Sequence, residues 1–238
     1  MTTPAAEAQP AVPYGTPDAP RIAVRGEARL EVDPEIARIG ITVSARGRDR
    51  RAALEDLTRR NATVLELVKS YGAAVERLET GAFSITPELK QGKEERVRAY
   101  HGAVRVTAEL SDFTALGELT TRLADLELTR VDGPWWSLRP DSPVHRRARQ
   151  QAVREAVQRA REYAEALDTT LVALVELADI GAEAPVAAVR PAAPGRARSA
   201  AFGGAAPDAV APPLELEPQR QQVFAAVNAR FTMAPPAL

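Results

Sequence analysis

No cysteine occurs anywhere in the 238 residues, which removes disulfides, thiol redox chemistry and cysteine-ligated metal sites from consideration. Histidine is nearly absent too. His101 and His145 are the only two, and neither has a second histidine or a carboxylate pair at a spacing such as H-E-x-x-H, so no metal site is expected. Lysine is confined to Lys69, Lys90 and Lys93, and arginine supplies the rest of the basic charge. The formal net charge is only −1, so attraction to nucleic acid or to an anionic membrane would need a local patch rather than a global field. No G-x-S-x-G elbow appears. Gly203-Gly204 lies in an alanine- and proline-rich stretch with neither a strand before it nor a helix after it, which makes it a hinge-like loop rather than a phosphate cradle. No catalytic residue, cofactor or metal ligand is expected from these groupings.

With 45% hydrophobic residues the chain has enough apolar material to bury a core as one larger domain or two small ones. Residues 1–20 hold five prolines, no basic residue and no apolar run of signal-peptide length. They read as a disordered tail without secretory signal or membrane span, and cytoplasmic residence is the expectation that follows.

The pattern is clearest at residues 21–47. Ile22, Val24, Ala28, Leu30 and Val32 alternate with Arg21, Arg25, Glu27, Arg29 and Glu31, a period of two that marks a half-buried strand. After Asp33-Pro34 the alternation resumes with Ala37, Ile39, Ile41, Val43 and Ala45 on one side. The two runs are expected to fold back on each other as a hairpin at the Asp-Pro.

Residues 49–71 carry Leu54, Leu57, Val64, Leu65 and Val68 at helical spacing, with Gly72 in the place of a C-terminal cap. Residues 78–89 and 97–110 read as strands joined by the charged loop KQGKEER, the second strand alternating through Tyr100, Gly102, Val104, Val106, Ala108 and Leu110. Ser111 or Asp112 can cap a second helix with Phe113, Leu116, Leu119, Leu123 and Leu126 as its stripe. A strand with Trp135, Trp136 and Leu138 follows. Ser142-Pro143 opens a third helix on which Ala148, Ala152, Ala156, Ala160 and Ala164 recur every four residues, with Val153, Val157 and Leu167 extending the stripe; one flank is nearly free of side chain, so another element can approach closely there. Residues 171–180 are apolar on both faces and suit a central strand. Alanine, proline and glycine dominate 183–218, which reads as a mobile loop with one short strand near Val186 to Val189. The chain closes on a strand in which Val223, Ala225, Val227, Ala229, Phe231 and Met233 share a face.

Two surface groupings stand out. Arg46, Arg48, Arg50 and Arg51 join a strand to a helix and form a candidate anion patch, set against the alternative of a solvated junction offset by Glu55 and Asp56. Trp135 and Trp136, being adjacent in a strand, point to opposite faces. Trp136 is in phase with Leu138 and is assigned to the core. Trp135 lies in phase with Arg139 outside, where the pair has the composition of an interface anchor.

The order of these elements and several phrases resemble the SIMPL-domain proteins, which include bacterial oxidative-stress defence proteins and a periplasmic immunogenic protein. The matching pieces are RIAVRGEARLEVDPEIARIGITVSARG, Leu78-Glu79-Thr80, Phe83-Ser84-Ile85-Thr86-Pro87, Ala99-Tyr100, Trp136-Ser137-Leu138 and ARQQAVREAVQRAREYAEAL. The resemblance implies an α+β fold of antiparallel sheets covered by the three amphipathic helices, in two interlocked subdomains, and, in some members, large ring-like oligomers. It supplies no catalytic residues. On this reading 1–20 is tail, 21–182 the SIMPL-like domain, 183–218 the loop, and 219–234 the strand that completes the domain. The chain departs from the family pattern at Ala99, where glycine is frequent, and at Glu88, where an aromatic is more usual. Many members also look exported, whereas no signal is read here.

The expected function is that of a non-catalytic homo-oligomeric or interaction protein, linked to stress tolerance, with a protein partner that the sequence does not name. Nucleic acid is not expected as a partner. The alternative is a small-molecule or nucleic-acid binding module that uses the arginine patch.

Overall fold

The computed structural model describes residues 15–89, 97–180 and 212–237. The charged loop KQGKEER and the short strand expected near Val186 to Val189 lie outside the described residues, as does most of the 1–20 tail. The fold is α+β, with two antiparallel sheets and three helices divided between two compact units.

One unit contains β1 (Arg21–Val32), α3 (Pro143–Glu165), β6 (Leu171–Asp179) and β7 (Gln221–Met233), with the sheet in the order β1-β7-β6. Residues 15–20 enter it through a small bridge between Thr16 and Ala19, and the Met233 amide donates to the Pro20 carbonyl at 2.9 Å. The alternation along β1 is realised, with Val24, Gly26 and Ala28 buried and the charged residues outside. All five alanines at four-residue spacing on α3 are buried, and Ser142 caps the helix, accepting from the Val144 amide. Leu167 belongs less to this stripe than expected, because the helix ends at Glu165 and leaves it exposed. Val24, Ala28, Ala152, Ala156, Ala160, Val227, Ala229 and Phe231 make the core of this unit.

The small flank of α3 has a specific counterpart. Gly26 lies against it so closely that a Cβ there would fall 2.0 Å from the Ala152 carbonyl oxygen and 2.7 Å from the Ala156 Cβ. Strand and helix touch backbone to backbone, which only glycine opposite alanine permits.

The other unit contains β2 (Ile36–Gly47), α1 (Arg50–Lys69), β3 (Val75–Leu89), β4 (Val97–Leu110), α2 (Phe113–Ala124), β5 (Thr129–Ser137) and the segment 212–221, with a single 3-10 turn at Gly72–Ala74. Its sheet runs β3-β4-β2-β5. The inner faces of β2 and β4 meet the apolar stripes of both helices in one core that includes Ile39, Ile41, Leu57, Val68, Val106, Leu110, Leu116, Leu119 and Leu123. Asp49 caps α1 and Asp112 caps α2, each carboxylate accepting backbone amides of the first turn. Leu54, expected on the inner stripe of α1, is exposed, and Ala53 takes its place, since the buried face is centred on 53, 57, 64 and 68. Within 183–218, residues 212–218 are irregular but held: the Leu214 amide donates to Thr121 Oγ1 at 3.0 Å, and Leu216 packs on the core.

Two expectations about strand partnership are corrected. The runs on either side of Asp33-Pro34 are both strands, but they form no hairpin, since β1 belongs to the three-stranded sheet and β2 to the four-stranded one. β2 is flanked by β4 on one edge and β5 on the other, and the Glu35 amide already donates to Ser137, so no edge is left for β1. Nor does Asp-Pro supply the positive φ values that a tight two-residue hairpin requires. The second correction concerns β6. Its two apolar faces suggest a central strand, yet the central position is occupied by β7 and β6 lies at the edge, exposed along most of its length.

Candidate functional site

The four arginines of the candidate anion patch lie at the end of β2 and the start of α1, and each is engaged from within the chain. Arg46 donates twice to Glu88, from Nη2 at 2.7 Å and from Nε at 3.1 Å. Arg48 lies 3.5 Å from the Asp49 carboxylate, and Arg51 pairs with Glu55 at 2.9 Å. Arg50 rests over the ring of Tyr100 at 5.9 Å, a cation–π contact. Glu88 is the hub. His101 Nε2 approaches its carboxylate at 2.9 Å and Arg98 at 3.6 Å. The His101 hydrogen bond, followed by that of Arg46, holds the Glu88 carboxyl below the usual carboxylate range. Glu88 sits between Arg46 and Arg98, in the place an external anion would take. Sequence spacing missed it because Glu88 and Arg46 are joined only through the β3–β4–β2 register, Glu88 opposite Ala99 and Arg46 opposite His101.

A direct expectation follows. Replacing Glu88 by Gln should leave Arg46 and Arg98 unneutralised and raise the salt concentration needed to elute the protein from heparin. Unchanged elution would mean that these arginines do not form a continuous anion-binding surface.

The two residues of the expected interface pair have different neighbours. Arg139 lies just beyond β5 and is bound by Glu76 and Glu35: its guanidinium pairs with both carboxylates, and its amide donates to Glu35 at 2.9 Å. The Arg139 contact, the largest influence on it, holds the Glu76 carboxyl below its ordinary range. Trp135 is 48% exposed on the outer face of the sheet. Its neighbours there are Arg38, paired with Glu109 at 2.8 Å, Arg77, paired with Glu79 at 2.6 Å, and Arg105. Trp136 turns inward against the core and meets Phe113 edge to face at 4.8 Å. Gly40 and Arg105 were not singled out from sequence, although the alternation of β2 and β4 puts both on the outer face; the signal was present but not its register.

The third feature is the β6 edge. Val172 is 67% exposed and Leu174 53%, and Val175, Leu177 and Ile180 are also exposed. Leu174 stands opposite Phe231 and Leu177 opposite Ala229, so both lie on the face that α3 covers elsewhere. Val172 and Val175 fall where the register with β7 shifts. Among the described residues, no group of three or more His, Asp or Glu side chains is placed to hold a metal ion, and no helix is long and apolar enough to cross a membrane.

The chain is similar in sequence to two named relatives. The "26 kDa periplasmic immunogenic protein" of Brucella melitensis is 26% identical over 168 residues, which cover 67% of this chain and 66% of the relative. The protein of the same name from Brucella abortus matches to the same extent. The chain thus spans just under two thirds of the length of these relatives. The compartment in their name differs from the cytoplasmic residence expected above. The description of SIMPL, "Protein of unknown function (DUF541)", fits residues 22–231, almost the whole described fold, and the chain belongs to the SIMPL family.

Proposed function

We propose that this chain is a non-catalytic protein that acts by self-association, and that the edge of β6 is where a second copy joins. The observation that carries the reading is the exposure of five large apolar side chains on one edge strand and its end, Val172, Leu174, Val175, Leu177 and Ile180. Exposed edges of soluble proteins are usually guarded by lysine, proline or inward-pointing charge. β6 has no lysine or proline, its acidic residues are Glu176 and Asp179, and Glu176 is drawn toward Arg230 of β7. Two-fold pairing of β6 with β6 of another copy would extend the three-stranded sheet across both molecules and cover these side chains with like ones. The register shifts at Val172 and Val175 raise the local twist of the strand, so the second copy would have to match a twisted edge.

Size-exclusion chromatography with light scattering tests the reading. The 25.6 kDa chain should elute as a multiple of its own mass, and the double substitution Val172→Lys, Val175→Lys should lower that mass while circular dichroism stays native. A parent protein of single-chain mass, or a double variant of unchanged mass, would overturn it.

A further inference from the structure

Gly40 sits in mid-strand on β2, where a side chain would project from the outer face of the four-stranded sheet, and two groups converge over the space it leaves. A Cβ at this position would lie 3.1 Å from a terminal nitrogen of the Arg105 guanidinium and 3.4 Å from Cζ3 of the Trp135 indole. Gly133 supports the same ring from below, with Cε3 3.3 Å from where its Cβ would be. The pairing of β2 with β5 slips between Arg38 and Gly40, which is what brings Trp135 across. The result is a hollow of about 460 Å³ with an open indole on one side and a guanidinium beside it, a size within the range of small-molecule sites.

The charges on its walls are mostly spent. Arg38 is held by Glu109 and Arg77 by Glu79. Arg105 has no ion-pair or hydrogen-bond partner among the described residues, and the three arginines exceed the two glutamates by one positive charge. One free cationic fork and one flat apolar face therefore remain. From these we propose that the hollow binds a small aromatic carboxylate, its ring on Trp135 and its carboxylate on Arg105. Guanidinium and carboxylate match as a bidentate pair, and aromatic rings stack on indole with one face each. A sugar acid would fit less well, because its ring offers no aromatic face to the Trp135 indole.

The inference does not depend on self-association, and calorimetric titration of the full chain with 2-naphthoate tests it. Saturable binding with one ligand per chain is expected, about tenfold or more weaker for Trp135→Ala, for Arg105→Gln, and for the neutral amide of the same ring system. Trp135→Phe, which keeps a flat ring, should stay within about threefold of the parent. Absence of saturable binding, binding indifferent to both substitutions, or equally tight binding of glucuronate would overturn the proposal. So would a fall in molar mass on Trp135→Ala, which would make the indole a subunit contact; a fall confined to the β6 variants bears only on self-association.

Discussion

Gly26→Ala should be among the most damaging single changes in this protein, costing about 3 kcal/mol or more in urea or thermal unfolding. The new methyl carbon would lie 2.0 Å from the Ala152 carbonyl oxygen and 2.5 Å from the Ala156 amide nitrogen. Both are backbone atoms of α3, so no side chain can swing aside, and the helix as a whole must move off β1. That separation would also loosen Val24 and Ala28 from Ala152, Ala156 and Ala160. Ala156→Leu attacks the same contact from the helix side and should cost about 1 to 3 kcal/mol, since a longer side chain has some freedom to bend along the groove. If either variant melts with its parent, this contact is not what seats the helix on the sheet.

Trp136→Ala should cost about 3 kcal/mol, whereas Trp135→Ala should stay within about 0.5 kcal/mol of the parent in the same unfolding experiment. The two residues are neighbours in β5, and the strand turns them to opposite sides. Removing the Trp136 indole takes away its edge-to-face contact with Phe113 and leaves a cavity beside the core of β2, β4 and the two helices. The Trp135 indole is half exposed to water, and its removal strips packing from Gly40 and Gly133 and from the side chains around the outer hollow. A Trp135→Ala protein that unfolds more readily than Trp136→Ala would reverse the assignment of the two faces.

Much of this fold was legible because burial writes a period into sequence. The alanines of α3 at four-residue spacing are all buried, and most inner residues of β1, β2, β4 and β7 are those the alternation marked, with Ile36, Ala99 and Ala226 buried in addition and Tyr100 and Ala225 only half-buried. The placement of Trp136 inside and Trp135 outside came from the same reasoning. Leu54 escaped it because adjacent Ala53 and Leu54 are both apolar, and a period read from leucines alone rotates the face. The candidate sites were less legible. Arg46 and Glu88 are 42 residues apart in sequence and meet through two ladders. Gly40, Arg105 and Trp135 come from three strands whose register fixes the hollow.

The sequence by itself determined which residues face inward and where most elements begin and end, because those properties depend on side chains repeating at the period of a helix or a strand. Tertiary structure alone decided which strand lies beside which: that β1 leaves β2 for β7, and that apolar β6 stands at an edge while β7 takes the middle. The physical reason lies in the groups that make the pairing. A strand edge presents the same backbone amides and carbonyls whatever its sequence, so its partner is chosen by how whole faces pack across the chain, here by β4 and β5 closing on both sides of β2 and by α3 fitting Gly26.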